Sequence, residues 1–223
     1  MLERWSNSYL ILMLTVVSII IAIVGETTVA TFCMSCLFYI TMFLITLRDF
    51  SKDHDLFSHR TLRVLLILIL TSFLSDTFYI FNWIPDLNVF FLSSTGLIRI
   101  AFFGCGWLST VKMLTRRQKV TSRTIVLAIT AYLFIGIIWS FIYFAIWQIN
   151  PHAFHISVQR DYEFKYWNLA MYFSLTTLST VGYGDIVPID QWAMVSATFE
   201  AMAGAIYLTV IVARLVSLYN TPD

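Results

Sequence analysis

The sequence TTLSTVGYGD, residues 176–185, places hydroxyls, two glycines and a carboxylate within an apolar half of the chain. Whether this polar segment faces water, lipid or protein decides the fold. Of the 223 residues, 59% are hydrophobic and 12% are charged. A soluble domain carries about 25% charged residues. A chain with half that charge cannot cover itself with polar groups, so we predict an integral membrane protein.

Apolar segments of membrane-spanning length occur six times. They lie at residues 8–24, 28–47, 62–83, 89–114, 124–147 and 192–218. A further apolar segment, 166–178, is too short to span and ends in the motif, which predicts a re-entrant helix. The sequence therefore predicts an all-α membrane protein with six transmembrane helices and one re-entrant helix.

Positive charge predicts the orientation of these spans, since loops rich in Lys and Arg stay on the cytoplasmic side. The connections at 48–63 and 112–123 are basic, whereas the loop at 148–165 carries only Arg160 and Lys165. We therefore expect a multi-pass plasma-membrane protein whose N- and C-termini are both cytoplasmic. The basic connection at 112–123 could contact anionic lipids.

The glycines of the motif allow an unusual backbone conformation. Gly182 and Gly184 alternate with Val181 and Tyr183, which allows a positive φ at every second residue. Such alternation can turn successive carbonyl oxygens to one side, where they replace the water around a cation. The Thr180 hydroxyl can extend this column. One strand supplies a quarter of a four-fold cage, so we expect a homotetramer.

These residues carry a resemblance. The run from Thr180 to Asp185 resembles the selectivity-filter signature of potassium channels. The resemblance extends over residues 124–220 and, more weakly, over the first four spans. It implies a four-helix sensor-like domain at 1–120 and, at 121–223, a pore domain of outer helix, pore helix, selectivity filter and inner helix.

The resemblance also implies a function, a potassium-selective channel that conducts K⁺ passively. The implied K⁺ ligands are the carbonyl oxygens of Thr180, Val181, Gly182 and Tyr183, together with the Thr180 hydroxyl. Gly184 and Asp185 would shape the outer mouth of the pore. K⁺ in the filter is the only cofactor that the resemblance implies, and no organic cofactor is expected.

Support for the filter is predicted from the neighbouring helices. Many potassium channels hold the aspartate with a tryptophan or an acid of the pore helix, whereas this sequence offers Tyr172 and Thr176. Glu200 lies inside the last span, where an ionisable residue is costly and is a functional candidate. We expect it to contact hydroxyls of the re-entrant helix such as Thr177. A protonated, purely structural carboxyl group is the alternative.

The last span also suggests a gate. Gly204 occupies the position, relative to Thr180, at which potassium channels often carry a hinge glycine, although small residues also serve close helix packing. Helical spacing from Gly204 places Ala205, Leu208 and Val212 on one face. We expect this face to line the pore, with Leu208 and Val212 as a hydrophobic constriction.

Voltage gating should be weak or absent. A voltage sensor needs arginines at every third position of the fourth span, and only Arg99 fits that pattern. One charge in each of four subunits contributes only about 9 kcal/mol per 100 mV. We expect Arg99 to pair with a membrane acid, either Asp76 or Glu26.

Other classes of protein fit less well. A potassium transporter built from the same pore unit usually carries four filter loops in one chain, and this chain has one. A non-conducting modulatory subunit would not need an intact filter. No His, Cys or acid cluster suggests an enzyme, and no soluble ligand-binding domain is recognisable. The basic residues are spread over several loops, which gives no nucleic-acid surface.

Overall fold

The computed structural model describes residues 2–24, 88–115, 120–157 and 166–219, with scattered helical positions between residues 33 and 77. Its contacts divide the chain into two compact units, Met1–Thr110 and Val111–Asp223. The domain boundary predicted after residue 120 stays a prediction.

The described elements are mostly helical. In chain order they are α1 (Leu2–Val24), α2 (Asn88–Thr115), α3 (Ser122–Ile149), β1 (Phe154–Ile156), α4 (Tyr166–Leu178), β2 (Ile186–Pro188) and α5 (Gln191–Tyr219). The re-entrant segment predicted at 166–178 coincides with α4. The predicted spans at 8–24, 89–114, 124–147 and 192–218 overlap α1, α2, α3 and α5.

Three described helices are long and apolar enough to cross a membrane, over Gly96–Thr115, Ser122–Ile149 and Gln191–Ser217. In α1 the apolar stretch Tyr9–Ile23 is shorter. The predicted spans at 28–47 and 62–83 lie mostly outside the described residues. The finding is thus a membrane protein with three candidate spanning helices, and the number six stays a prediction.

Helix α3 begins at a capping box, which fixes its N-terminal end. The Thr124 backbone N–H donates to the Thr121 hydroxyl at 3.4 Å, and the Thr121 N–H donates to the Thr124 hydroxyl at 3.2 Å. These bonds satisfy two backbone donors that a helix N-terminus otherwise leaves free. From this start α3 packs against both α4 and α5.

An aromatic core joins α3, β1 and α4. The Tyr143 ring meets Phe173 of α4 edge-on, with centroids 4.9 Å apart, and Trp147 packs on Phe154 of β1 at 4.3 Å. Tyr143 and Trp147 are almost fully buried. Aromatic pairs in such arrangements add attraction beyond their buried area, so this core holds α4 against α3.

A small antiparallel sheet was not predicted. Strands β1 and β2 pair in the register Phe154 with Pro188, His155 with Val187 and Ile156 with Ile186. Three-residue strands are too short to show an alternating pattern in sequence. The sheet ties the chain before α4 to the chain after the glycine segment, which is defined here as residues 180–185.

Candidate functional site

The glycine segment starts directly from the last turn of α4. The Thr180 N–H donates to the Thr177 carbonyl at 3.0 Å, and the N–H groups of Val181 and Gly182 both donate to the Thr176 carbonyl, at 2.9 and 3.2 Å. These bonds satisfy carbonyls that a helix C-terminus otherwise leaves free. With 13 residues, α4 is about 20 Å long at the usual rise per residue, too short to cross a hydrocarbon core of about 30 Å.

Positive φ angles alternate along the glycine segment. They occur at Thr180 (58°), Gly182 (52°) and Gly184 (79°). Among the residues that the structure describes, Thr180 is the one non-glycine residue in this conformation. A β-branched residue with positive φ is strained. The spacing of the two glycines predicted this alternation at every second residue, and the backbone confirms it.

Side chains of the glycine segment are mostly uncovered in the single chain. Val181 is 52% exposed and Tyr183 is 71% exposed. The described residues therefore leave both side chains largely uncovered. Tyr183 does lie parallel to the Tyr172 ring of α4, with centroids 6.4 Å apart. A Cβ added at Gly182 or Gly184 would meet no atom within 4 Å.

Asp185 is fixed from three sides. The Tyr172 hydroxyl donates to Asp185 Oδ2 at 2.7 Å, and the Ile186 N–H donates to Oδ1 at 3.0 Å. The Asp185 carbonyl accepts from the Ser157 N–H at 2.9 Å. The predicted contact between Tyr172 and Asp185 is thus present, and its role in the filter stays a prediction.

Thr176 contributes differently from the prediction. Its hydroxyl donates to the carbonyls of Tyr172 and Phe173, at 3.1 and 3.0 Å, within α4. Helical Thr hydroxyls commonly bond backward in this way. The structure shows no hydrogen bond between Thr176 and Asp185, and a bracing role of Thr176 stays a prediction. Thr176 instead supports the glycine segment through its backbone carbonyl.

Glu200 lies at the meeting point of three helices. It is fully buried, its Oε1 lies 2.5 Å from Ser174 Oγ of α4, and its Oε2 lies 2.6 Å from the Tyr143 hydroxyl of α3. A hydroxyl of the re-entrant helix was predicted, but Thr177 was the wrong choice. Thr177 lies three residues after Ser174, and its carbonyl accepts from Thr180 instead.

Gly204 is a point of very close helix approach. A Cβ built there would lie 2.4 Å from the Leu178 carbonyl oxygen. The same carbonyl, at the last residue of α4, accepts from the Tyr132 hydroxyl of α3 at 2.9 Å. Gly204 therefore serves close packing in this structure, and its role as a hinge stays a prediction.

The face of α5 that contains Ala205, Leu208 and Val212 is uncovered. Ala205, Leu208 and Val212 are exposed, Leu208 by 44% and Val212 by 55%. Tyr207, on the packed face, is 9% exposed and donates to the Ala128 carbonyl of α3 at 2.7 Å. The three residues predicted to line a pore thus share the face that no part of the described chain covers.

Arg99 is buried within the first unit. It is 7% exposed, its Nη2 donates to the Tyr39 hydroxyl at 3.3 Å, and its guanidinium carbon lies 5.6 Å from the centroid of the Tyr39 ring. Cations are attracted to aromatic faces at this distance. The acids predicted as partners, Asp76 and Glu26, lie outside the described residues, so that pairing stays a prediction.

Sequence reasoning missed the hydroxyl partners of these contacts, although a signal for them exists. Tyr132, Gly136, Ser140 and Tyr143 recur at helical spacing along one face of α3. Small and hydroxyl-bearing residues at that spacing in an apolar helix indicate a helix contact rather than a lipid-facing surface. Tyr132, Gly136 and Tyr143 lie in the contacts with α4 and α5.

Comparison with protein families gives a match over the pore-like part of the chain. Residues 131–220 match the family described as ion channel. The matched region contains α4 with the glycine segment, all of α5 and residues 131–149 of α3. No curated protein matches the chain. The apolar helices indicate a membrane protein. The family match supports an ion channel.

Proposed function

We propose that the chain is a subunit of a potassium-selective channel that conducts K⁺ passively. The observation that carries this proposal is the alternation of positive φ at Thr180, Gly182 and Gly184 directly after a short apolar helix. Non-helical backbone at membrane depth is tolerated only where it is buried in protein or lines a cavity. Carbonyl oxygens there can replace the hydration shell of a cation.

The proposed ion path is built from backbone rather than from charged side chains. K⁺ is held by the carbonyls of Thr180, Val181, Gly182 and Tyr183 and by the Thr180 hydroxyl. Asp185 shapes the outer mouth, where its contacts with Tyr172 and Ser157 keep it in one position. Asp185 therefore adds a negative charge near the entrance without blocking it.

Four copies of the chain form the pore in this proposal. One chain contributes a single glycine segment, and its side chains at Val181 and Tyr183 are exposed. The uncovered apolar face of α5, which includes Leu208 and Val212, would be covered or would line the pore on assembly. A closed four-fold ring, built with one repeated interface, would both cover these exposed side chains and form the pore.

The proposed channel is leak-like, with weak or no voltage dependence. Arg99 is the one arginine in the pattern of a sensor, and it is buried against Tyr39. The channel lies in the plasma membrane with both termini cytoplasmic, as the distribution of basic loops favours.

Flux into liposomes tests the proposal. The purified protein is reconstituted, and K⁺ uptake is compared with Na⁺ uptake, with and without barium. Potassium flux that needs no second solute and is blocked by barium is the expected result. Uptake that depends on a co-transported ion would instead identify a transporter, and a four-chain assembly without any flux would identify a modulatory subunit.

A further inference from the structure

The buried carboxyl group of Glu200 has only hydroxyl partners. Its two oxygens contact Tyr143 and Ser174, and within the described ranges no Lys, Arg or His contacts it. A carboxylate buried without a cation is strongly disfavoured. The surroundings therefore favour the neutral acid. The number of hydrogen atoms in the Ser174 contacts gives a second argument for the same protonation state.

The Ser174 hydroxyl lies between two acceptors. Its Oγ is 2.5 Å from Glu200 Oε1 and 2.7 Å from the Gly136 carbonyl oxygen of α3. A hydroxyl carries one hydrogen. If Glu200 were ionised, one of these two short contacts would join oxygens with no hydrogen between them.

A proton on Glu200 resolves the conflict. Glu200 then donates to Ser174, Ser174 donates to the Gly136 carbonyl, and Tyr143 donates to the other Glu200 oxygen. Each of the three contacts now contains one hydrogen. The contact between Ser174 and Glu200 is the shortest of the three, at 2.5 Å.

We infer that Glu200 is a neutral carboxylic acid that acts as a positioning residue, joining α5 to α3 and α4 through this ordered chain of hydrogen bonds. Its effect on conduction rests on the proposed function. Glu200 lies one turn before Gly204, which contacts the Leu178 carbonyl at the end of α4. The two contacts together fix α4 along its inner half, and α4 carries the glycine segment.

Infrared spectroscopy at neutral pH tests the protonation directly. The spectrum of wild type minus that of Glu200→Gln should contain the carbonyl stretch of a protonated carboxylic acid. Asp190→Asn is the matched control, because Asp190 accepts from the Trp192 N–H and the Asn150 amide and should lose a carboxylate band instead. A carboxylate band lost in Glu200→Gln would overturn the inference.

Thermal unfolding tests the positioning role. Gln can donate to Ser174 and accept from Tyr143, so Glu200→Gln should keep the wild-type midpoint. Glu200→Ala leaves both hydroxyls without this partner and should lower the midpoint by at least about 4 °C. Ser174→Ala combined with Glu200→Ala should lower it by less than the sum of the single effects. Additive effects, or a Gln variant as unstable as the Ala variant, would contradict the role.

Ion flux is the third measurement. If the proposed function holds, Glu200→Gln should keep the ratio of K⁺ to Na⁺ flux within about twofold of wild type, because its hydrogen bonds are retained. A larger loss in this variant would overturn the positioning role of the neutral acid. The infrared and unfolding measurements need no transport, so absence of flux in the wild-type protein would count against the proposed function alone.

Discussion

Thr180 holds a backbone conformation that its side chain disfavours. Its φ of 58° costs a β-branched residue on the order of 1–3 kcal/mol. The bonds around it offset this cost, since Thr180, Val181 and Gly182 all donate to carbonyls of the last turn of α4. The strain is therefore maintained by α4.

The two glycines of the same segment should be intolerant of side chains for a conformational reason. At Gly182 the φ is 52° and the space around the position is open in the single chain. Gly182→Ala should therefore cost about 1–2 kcal/mol through its backbone alone. We expect it to abolish selective K⁺ flux in liposomes.

A control for this variant is Ser179→Ala. Ser179 is exposed and its hydroxyl donates within α4, to the Leu175 carbonyl at 2.6 Å. Selective flux should survive that change. Wild-type selectivity in Gly182→Ala would argue that the alternating backbone does not contact the ion.

Tyr172 supports the glycine segment through one hydrogen bond. Tyr172→Phe removes the 2.7 Å bond to Asp185 Oδ2, and hydrogen bonds to charged groups contribute about 1.5–3 kcal/mol. Single-channel recordings should show shorter openings, because Asp185 keeps its backbone contacts but loses its link to α4. Tyr166→Phe, at an exposed tyrosine of the same helix, should leave open times unchanged; equal shortening in both variants would refute a specific brace.

At the scale of helices, α4 is held at both of its ends. The N-terminal part packs in the aromatic core of Tyr143, Trp147 and Phe173. The C-terminal end presents the Leu178 carbonyl to the Tyr132 hydroxyl and to Gly204. A 13-residue helix has little stability of its own, so these two contacts determine where it lies.

The close contact between Gly204 and Leu178 predicts a severe effect of one added methyl group. In Gly204→Ala the new Cβ would lie 2.4 Å from a backbone oxygen, so α5 must move away from α4. We expect a destabilisation of about 1–3 kcal/mol in thermal unfolding of the detergent-solubilised protein.

Gly104 of α2 provides the matched comparison. A Cβ there meets nothing within 4 Å, so Gly104→Ala should leave stability unchanged or raise it by up to about 1 kcal/mol through helix propensity. If the two variants behaved alike, the close approach at Gly204 would have no energetic importance.

The sequence predicted elements better than contacts. Apolar length located α3, α4 and α5, and glycine spacing predicted the alternation of φ, because both depend on properties of neighbouring residues. The partners of Glu200 depend on how three helices are rotated against each other, which hydropathy does not encode. Thr177 and Ser174 are one turn apart, and only packing selects Ser174.

For the whole molecule, assembly is the property with the sharpest quantitative test. Gly182→Ala subunits, expected not to conduct, can be mixed equally with wild-type subunits before assembly. If four chains form one pore at random, only about one-sixteenth of the pores contain wild-type subunits alone. Flux should fall to about that fraction if one altered segment disables a four-fold cage.

Other stoichiometries give different fractions. Pores that work within single chains would keep about half of the flux, since a subunit without symmetric partners is unaffected by its neighbours. Native mass spectrometry provides the independent check, with an expected mass four times the 25.8 kDa of the chain.

The β1–β2 sheet determines where the chain tolerates inserted residues. Pairing of Ile156 with Ile186 closes a loop that contains α4 and the glycine segment. Lengthening the connection between β1 and α4 costs little, since closure entropy grows slowly with loop length. One residue inserted between Gly184 and Ile186 would instead shift β2 by one position and turn the buried Ile186 outward. Insertions should therefore be tolerated between β1 and α4, before the helix, and not tolerated between Gly184 and Ile186, after it.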